Sequence, residues 1–364
     1  MGAGAAFFAT VGATAATEKK EEVIQGFDEV DPGKLQDKPW EPFSDKKVRI
    51  GVAGAGFGVK FAYETHPNAE VVAVTDLDPQ KCLKMQKHMR APKTYPSCEE
   101  MIKNASADKL EAVYIATDAP SHARLSIMAL EHGLHVVTAC PAIYGSDQLE
   151  LVPKLVDAVK SSGKLYMMNE TSAFRPQCYA MRKIFEAGGF GKHIFTEGEY
   201  FHYKGKRVGS YGGWRIGSPP QYYPTHSNAF YTCVTHGSFV EVSCIGNKSD
   251  LPDYKETANR YKNPFDCEVA FFKTSDGGSA RMAVMWGAPG YGAEIGRCHG
   301  TLGSYGSFPI KTPSVQNTLG YRGLRSDLVS KLELRKPRLP RGVYAGGHGG
   351  SHGYLTEDFL RGIL

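Results

Sequence analysis

Tyrosine and histidine recur in three short motifs of the C-terminal half, and both side chains can move protons near neutral pH. Tyr200 and His202 share the motif EYFH, Tyr223 and His226 share YPTHS, and His348 lies in the Gly-rich GGHGG. A general acid or base must reach a reacting hydroxyl and change its protonation near the working pH, which suitably placed Tyr and His do. We therefore predict these five residues as the catalytic groups of a proton-transfer site, with His348 in a loop that folds close to a ligand.

Three further side chains are predicted to contact a small substrate. Trp214 and Arg215 are adjacent, and Arg215 can bind substrate hydroxyls or a carboxylate, or serve as an ordinary salt-bridge partner. Glu170 ends a predicted strand and can contact the cofactor or the substrate. His348 and His352 have the four-residue spacing of a metal pair on a helix, but the surrounding glycines argue against a helix. We predict no metal site.

A Gly-rich turn between two apolar segments predicts a dinucleotide-binding site. The segment KVRIGVAG (47–54) is typical of a buried strand, and it leads through GAGFG into a predicted helix and a second strand, AEVVAVTD (69–76). Asp76 follows Gly54 by 22 residues, the spacing at which glycines approach the pyrophosphate and an acid binds the ribose hydroxyls. The predicted cofactor contacts of this motif are Gly54, Ala55, Gly56, Phe57, Gly58 and Asp76.

Two residues of this motif refine the prediction. A carboxylate at Asp76 repels a 2′-phosphate, so the predicted cofactor is NAD. Val59 stands where the usual fingerprint has its third glycine, and Gly58 lies one position earlier. We therefore expect Gly58 to substitute for that glycine, with looser packing between the following helix and the strand.

Apolar runs and helical segments alternate up to residue 170. Further strands are predicted over 112–117, 134–139 and 164–170, with helices over 97–104, 119–133 and 147–162. Alternating β and α units form a doubly wound parallel sheet, which binds ligands at the carboxyl ends of its strands. Thr117, His122, Cys140 and Pro141 are therefore predicted to contact the cofactor. Cys140 is expected to be a wall of the nicotinamide pocket rather than a nucleophile, because no partner base is evident.

The second half has a different pattern of segments. A helix is predicted over 178–191, followed by longer alternating strands over 193–204, 238–246, 267–274 and 278–286. These strands predict an open, mostly antiparallel sheet with one face free for a ligand or a second subunit. The predicted fold class is therefore α/β, with an NAD-binding Rossmann domain over 47–170 and an α+β domain for substrate binding and oligomerisation over 171–364.

Composition and the N-terminal segment bound the functional classes. Among 364 residues, 41% are hydrophobic and 22% charged, which excludes a disordered, collagenous or multi-spanning membrane protein. The net charge is +5, and no nucleic-acid-binding motif accompanies the basic residues. Residues 2–16 are uncharged and too few to span a bilayer. We predict that residues 1–16 are a truncated export signal, with a flexible tail as the alternative, and that residues 17–46 are a linker or surface arm.

Longer motifs resemble a known enzyme family over about residues 47–360. IGVAGAGFG, VTDLD, LEAVYIATDAPSHARLSIMALEHGLHVVTACPA and EAGGFGK are similar to the glucose–fructose oxidoreductase/inositol dehydrogenase/MocA (Gfo/Idh/MocA) family. In ordinary dehydrogenases of that family, Glu-Lys-Pro follows the fourth strand, and the Lys acts with an Asp and a His on the hydroxyl proton. This chain has Ala139-Cys140-Pro141 and retains His226, but Tyr222 replaces the Asp, so two of the three groups are missing.

The motifs YPTHS, EYFH, WR and GGHGG resemble glycoside hydrolase family 109, whose members are NAD-dependent glycosidases typically exported by the twin-arginine route. The resemblance implies an exported or periplasmic enzyme. The resemblance also implies the reaction. NAD takes a hydride from C3 of a sugar, and the resulting ketone acidifies the C2 proton. The anomeric substituent is then eliminated, water adds to the double bond, and the hydride returns to C3. The chain departs from that family at Cys140, where Val is usual, and at His352, where Asp is usual. It also stops soon after the Gly-rich loop, so we expect an incomplete C-terminus.

The residues leave three functions open. The first is a redox-neutral glycosidase acting on a small carbohydrate or glycoside. The second is a net NAD(P)-dependent sugar or polyol dehydrogenase, and the third is a non-catalytic sugar- or cofactor-binding protein of the same fold. The missing Lys and Asp count against the second, and the Tyr/His set counts against the third. The uncovered sheet face and the resemblance predict a homo-oligomer, either a dimer or a tetramer.

Overall fold

The computed structural model describes residues 43–203, 210–287, 289, 293–306 and 320–364. The predicted export signal (1–16) and residues 17–42 of the predicted arm lie outside these ranges. Of the helices within them, none is both long and apolar enough to cross a membrane.

A parallel sheet of six strands forms the N-terminal half. Its strands are β1 (Val48–Ala53), β2 (Ala69–Thr75), β3 (Lys93–Tyr95), β4 (Ala112–Ile115), β5 (His135–Ala139) and β6 (Tyr166–Asn169). Their spatial order is β3-β2-β1-β4-β5-β6, the doubly wound order of dinucleotide-binding folds. Every residue of β4 is buried, as expected for an apolar strand covered on both faces. The Rossmann part of the fold prediction is confirmed.

Helices bury both faces of this sheet. They are α1 (Pro79–Met89), α2 (Cys98–Lys103), α3 (Ala105–Asp108), α4 (His122–Glu131) and α5 (Leu151–Ser162). Met85 of α1 packs in one core cluster with Ile50 of β1. Leu125 of α4 and Leu155 of α5 pack in a second cluster with Val136 of β5. The continuous apolar character of the strands is thus matched by an apolar layer on each side.

The helix predicted over 59–67 is replaced by two short 3₁₀ segments, Gly58–Phe61 and Tyr63–Thr65. Ala62 between them has a φ of 48°, in the left-handed region. Phe61 and Tyr63 are both fully buried, whereas a regular helix turns residues two apart to different faces. The break at Ala62 therefore allows both aromatic rings to enter the core, and the predicted helix is wrong at this point.

The second sheet has seven strands and is mixed but mostly antiparallel. Its strands are β7 (His193–Phe201), β8 (Phe239–Lys248), β9 (Phe265–Thr274), β10 (Ser279–Met285), β11 (Ala293–Gly300), β12 (Gly303–Tyr305) and β13 (Tyr321–Gly323). Only β7 and β10 pair in parallel among the described strands of this sheet. The predicted open, mostly antiparallel sheet is confirmed, while β11, β12 and β13 were absent from the prediction.

Three helices pack against one face of the second sheet: α6 (Pro176–Glu186), α7 (Thr225–Thr235) and α8 (Ser326–Val329). No helix is predicted over the segment of α7, yet it is helical because Phe230 and Val234 fill the core under the sheet. Gly198 of β7 allows this close approach, since a Cβ there would lie 2.0 Å from the carbonyl oxygen of Ser227. The helix is thereby held against β7 with His226 in its first turn.

The last helix, α9 (Gly347–Ile363), returns to the first sheet. Leu355 and Phe359 share a core cluster with Val48 and Ile50 of β1. The side chains of His66 and Glu357 are buried, with His66 Nε2 2.7 Å from Glu357 Oε2. This polar contact links α9 to the segment between β1 and β2. The Gly-rich segment at the start of α9 is therefore anchored beside the dinucleotide turn.

Candidate active site

The Gly-rich turn after β1 is shaped by backbone constraints. Gly54 has a φ of 98°, and a Cβ there would lie 2.2 Å from the carbonyl oxygen of Ala116. A Cβ on Gly56 would meet no atom within 4 Å, so this part of the turn faces open space. Gly58 is buried, and a Cβ there would be 3.1 Å from Val52 Cγ1. Gly58 thus makes the close contact with the strand that is expected of the third glycine.

Asp76 and Phe57 flank this turn. The carboxylate of Asp76 accepts hydrogen bonds from the backbone N–H groups of Ala55 and Asp78, both at 2.8 Å. The Phe57 ring lies 5.5 Å from the His352 ring, edge to face. An acid beside open glycine backbone is the arrangement that dinucleotide sites use; the ribose contact of Asp76 stays a prediction.

His122 connects the loops after β4 and β5. It is buried, with Nδ1 2.8 Å from the carbonyl oxygen of Pro141 and Nε2 3.3 Å from that of Thr117. Burial lowers the pKa of His122 despite these two acceptors. His122 therefore holds in place two loops that carry predicted cofactor contacts, and its own contact with the cofactor stays a prediction.

A buried ion pair lies at the centre of the site. The Nδ1–H of His226 donates to Glu170 Oε1 at 2.6 Å, and Glu170 also accepts from the backbone N–H of Ser172 at 2.8 Å. Burial opposes the charge of His226, but the Glu170 carboxylate raises the pKa of His226 well above its usual range. Burial likewise disfavours the carboxylate, but His226 holds the pKa of Glu170 below its usual range. The two shifts favour an imidazolium paired with a carboxylate.

Cys140 lies on the other side of the His226 ring. Its Sγ is 3.8 Å from His226 Nε2 and 3.5 Å from the hydroxyl of Tyr223. The sequence analysis found no partner for Cys140, whereas the structure places His226 and Tyr223 beside it; its role as a wall of the nicotinamide pocket stays a prediction. No local pattern indicates this contact, because Cys140 follows β5 and His226 lies in the first turn of a helix in the other half, 86 residues away.

Aromatic side chains form one wall around His226. The ring of Tyr200 lies 4.5 Å from the His226 ring, and its hydroxyl is 3.0 Å from His202 Nδ1. The guanidinium carbon of Arg215 lies 4.1 Å from the centre of the Trp214 ring and 5.4 Å from that of Tyr223. Period two along β7 puts Tyr200 and His202 on one face, which is the face that α7 covers.

His348 and His352 lie between the dinucleotide turn and His226. His348 Nδ1 is 2.9 Å from His352 Nε2, and the rings of His348 and His226 are nearly parallel with centres 6.5 Å apart. Burial lowers the pKa of both residues, that of His352 to about 4. The prediction that His348 and His352 do not share a regular helix is only partly correct. Residues 348–350 have left-handed backbone, but they lead directly into the regular turns of α9.

Sequence reasoning missed a second, partly buried ion pair beside the first. Glu294 Oε2 of β11 accepts from Arg175 Nε at 2.5 Å and from the Ser172 hydroxyl at 2.8 Å. Burial opposes its ionisation, but Arg175 and His226 lower the pKa of Glu294 to about 2. β11 was not predicted, and the 119-residue separation of Arg175 and Glu294 left no local signal.

Among the described residues, one group has three side chains close enough to bind a metal together. Ligand atoms of Cys140, Glu170 and His226 lie within 4.8 Å of one another. The 2.6 Å contact between His226 Nδ1 and Glu170 Oε1 leaves no room for an ion between these two atoms.

Comparison with known proteins defines the class of the N-terminal half. Residues 48–170 match the family model described as "Oxidoreductase family, NAD-binding Rossmann fold", the Gfo/Idh/MocA family. Solved structures share the fold over most of the chain. Levoglucosan dehydrogenase in complex with NADH and levoglucosan has a TM-score of 0.66 and 17% identity over 87% of this chain and 90% of its own. Scyllo-inositol dehydrogenase of Lactobacillus casei has a TM-score of 0.63 and 14% identity over 88% and 90%.

Similar proteins of known classification narrow the resemblance further. Glycosyl hydrolase family 109 protein 1 of Phocaeicola vulgatus is 31% identical over 164 residues, 43% of this chain and 34% of the relative. The α-N-acetylgalactosaminidase of Bacteroides fragilis is 26% identical over 158 residues, 42% of this chain and 36% of the relative. The chain therefore spans about a third of the length of these relatives. The predicted resemblance to the Gfo/Idh/MocA family and to family 109 proteins is confirmed.

Proposed function

We propose that this chain is an NAD-dependent, sugar-active enzyme that cleaves glycosides without net redox change. The observation that carries the proposal is the gathering of Cys140, Glu170, His226 and His348 in one cluster beside the Gly-rich turn. Proton-transfer groups next to a dinucleotide site suit chemistry that couples hydride and proton movement. The similarity to family 109 proteins and to an α-N-acetylgalactosaminidase supports a glycoside as the substrate.

The turn fits a dinucleotide. The open space at Gly56 suits close approach of a pyrophosphate, and the carboxylate of Asp76, which accepts from the Ala55 N–H at this turn, would bind the ribose hydroxyls. We assign the pyrophosphate to residues 54–58, the ribose to Asp76, and the nicotinamide to Thr117, Cys140 and Pro141. A bound NAD would supply the hydride acceptor for oxidation of the sugar and the hydride donor for its later reduction.

The charged His226 stabilises negative charge on the sugar. Oxidation at C3 gives a ketone, and removal of the C2 proton puts negative charge on the ketone oxygen. A buried imidazolium fixed by Glu170 at 2.6 Å is a preorganised donor for that oxygen, and such groups contribute most where water is excluded. His226 therefore favours the elimination that releases the anomeric substituent.

His348 is the base for the C2 proton in this proposal. The lowered pKa of His348, caused by burial, keeps the ring neutral and able to accept a proton. The 3.1 Å contact from His352 Nδ1 to the carbonyl oxygen of Lys60 favours a proton on that nitrogen over the 3.3 Å contact from the Gly347 N–H. His352 Nε2 then accepts from His348 Nδ1–H, which leaves His348 Nε2 unprotonated.

The tyrosines supply the acid for the leaving group. Burial raises the pKa of both Tyr200 and Tyr223, so their hydroxyls stay protonated and can donate. The contact between the Tyr200 hydroxyl and His202 Nδ1 offers a route for the proton to return. Arg215, stacked on Trp214, is assigned to the sugar hydroxyls, since its guanidinium keeps donors available at the edge of the aromatic wall.

The test is an assay of the purified chain with p-nitrophenyl α- and β-glycosides, including N-acetylgalactosaminides, with and without NAD. Nitrophenol is followed together with NADH absorbance. We expect NAD-dependent or NAD-loaded release of nitrophenol with no accumulation of NADH. Accumulation of NADH on free sugars without glycoside cleavage would instead identify a dehydrogenase. Binding of sugar without turnover in either channel would identify a binding protein.

We also propose that the chain forms homo-oligomers through the outer face of the second sheet. Ile245 and Phe271 on that face are 65% and 50% exposed, and Arg281 makes ion pairs there with Glu197 and Glu199. Burial of such apolar side chains favours association. Light scattering after gel filtration should give a dimer or tetramer, and Phe271→Glu should shift it toward the monomer.

Export remains a proposal that rests on residues 2–16. Their uncharged, small-residue composition followed by the charged segment TEKKEE is typical of the end of a signal peptide. Fractionation of the native host should find the protein outside the cytoplasm, cleaved after Ala13-Thr14-Ala15 or close to it. Recovery of uncleaved protein in the cytoplasm would overturn this proposal.

A further inference from the structure

Cys140 has the surroundings of a reactive thiol. Its Sγ lies 3.8 Å from His226 Nε2, and the other nitrogen of that ring is fixed by Glu170 at 2.6 Å. A thiol, an imidazole and a carboxylate in this order form the arrangement in which a base and its orienting group activate a nucleophile. Cys140 sits directly after β5, at the carboxyl edge of the parallel sheet where ligands bind.

The charged groups nearest the thiol are positive. His226 is cationic and adjacent, and Arg215 adds a second positive charge beyond the Tyr223 ring. Glu170 lies behind the imidazole, and the carboxylate of Glu294 is paired with Arg175. Positive groups next to a cysteine stabilise its thiolate. The remaining titratable groups that face the thiol are the buried, protonated hydroxyls of Tyr114, Tyr200 and Tyr223.

We propose that Cys140, His226 and Glu170 form a Cys–His–Glu triad in which His226, fixed by Glu170, stabilises the Cys140 thiolate, and that this thiolate is the base for the sugar hydroxyl that is oxidised. The role toward sugar rests on the proposed function, whereas the thiolate itself does not. Cys140 is in this account a catalytic residue, and Glu170 is a positioning residue that acts through His226.

Oxidation of the sugar hydroxyl is balanced in protons and electrons. The O–H bond of the sugar hydroxyl breaks as an S–H bond forms on Cys140, and the C–H electron pair leaves as hydride to the nicotinamide of NAD. The carbon becomes a ketone. When the hydride returns, the S–H proton goes back to the oxygen, so Cys140 ends each turnover as the thiolate. His226 keeps its proton throughout and stabilises the negative charge on the Cys140 sulfur.

The direct test measures the rate at which iodoacetamide labels each cysteine from pH 6 to pH 9, by peptide mass spectrometry. Each rate is compared with that of the same cysteine in the chain unfolded in urea. An ordinary thiol, with a pKa near 8.5, loses about 100-fold in rate between pH 8 and pH 6. We expect Cys140 in the folded chain to lose less than about threefold over this range. Cys244, which is exposed, serves as the internal control and should fall like the unfolded chain.

Variants of His226 and Glu170 test the contribution of each residue of the triad to the Cys140 labelling rate. In His226→Gln, the Cys140 labelling rate should regain the steep fall with decreasing pH, and Glu170→Gln should give an intermediate slope. The wild-type profile alone decides the proposal if either variant misfolds. A steep fall for wild-type Cys140, no labelling of Cys140 at any pH, or one equivalent of tightly bound zinc on the thiol would each overturn it.

Measurements of turnover distinguish failure of the triad proposal from failure of the proposed function. Cys140→Ser should lower kcat on the glycoside found in the assay by about 100-fold or more with KM changed less than about threefold, since proton transfer contributes in this range. Cys244→Ser should leave kcat unchanged. Retention of more than a third of kcat in Cys140→Ser would overturn the base role. A wild-type chain in which Cys140 labels as expected but which cleaves no glycoside would contradict the proposed function without contradicting the Cys140 thiolate.

Discussion

The dinucleotide turn and the proton-transfer cluster adjoin each other, yet they are built in opposite ways. The turn comes from one short stretch, 54–76, and its shape is set by backbone, as the φ of 98° at Gly54 shows. The cluster draws its members from distant parts of the chain and is held by charge, as in the 2.6 Å pair of His226 and Glu170. Substitutions should therefore damage the turn through steric clash and the cluster through unpaired charge.

The largest effect is expected from removal of the central imidazole. His226→Asn should lower kcat/KM by about 10³-fold, because it removes the charged donor and leaves Glu170 without its partner. His236→Asn is the matched control on the same helix, since His236 is exposed and has left-handed backbone that Asn tolerates. Initial rates on the identified glycoside measure both. Equal activity of the two variants would contradict a central role for His226.

The steric nature of the turn is tested by two neighbouring glycines. Gly54→Ala should reduce the free energy of unfolding by about 3 kcal/mol, because its Cβ would lie 2.2 Å from a carbonyl oxygen at a φ of 98°. Gly56→Ala should change it by less than about 1 kcal/mol, since its Cβ meets open space, yet it should weaken NAD binding. Urea unfolding and NAD titration measure these effects. Similar stability of the two variants would break the steric account.

The acid of the turn should affect the cofactor and little else. Asp76→Ala should weaken NAD binding about tenfold, equivalent to ~1.4 kcal/mol, and reduce the preference for NAD over NADP. Asp78→Ala is a control two residues away, where the side chain caps α1, and it should lower stability more than NAD affinity. Calorimetric titration measures both cofactors. An unchanged NAD affinity in Asp76→Ala would remove the ribose assignment.

The smallest effect is the pH dependence of stability from the central pair. The raised pKa of His226 gives stabilisation that is complete below its unfolded value of 6.5 and is lost as pH rises through the folded value. The lowered pKa of Glu170 gives stabilisation that is complete above 4.5 and is lost as pH falls through the folded value. The stability advantage of wild type over Glu170→Gln should therefore be greatest between these two pH values, by about 1 kcal/mol.

Urea unfolding of both proteins from pH 4 to pH 9 measures this advantage. A difference that stays constant across the range would show that the pair does not carry opposite charges. Glu241→Gln offers a control, because the partner of Glu241 is an exposed lysine, Lys273, and exposed pairs contribute little.

The sequence predicted what depends on local pattern. The parallel strands and the glycine turn were readable because apolar runs, turn residues and the acid follow one another within one βαβ unit. The helix after the turn was wrong because burial of Phe61 and Tyr63 overrides helical continuity. The strand β11 was missed, and Glu294 with it.

The candidate site was predicted by residue type better than by contact. Tyr and His were singled out from their chemistry, but the partners of His226 come from three other segments. Cys140 illustrates the limit: its meaning depends on a ring 86 residues away, which only packing of α7 against β7 brings within reach. Long-range pairs of this kind leave no periodicity in a single sequence.

The most direct measurement of the central claim is cleavage of the identified glycoside in D₂O, with deuterium incorporation in the released sugar read by NMR. In the proposed mechanism, elimination and water addition would exchange the C2 hydrogen with solvent, while the hydride taken from C3 would return to C3. The account predicts one deuterium at C2 and none at C3 in every product molecule. Product with no deuterium at C2 would show direct displacement at the anomeric carbon and contradict the account.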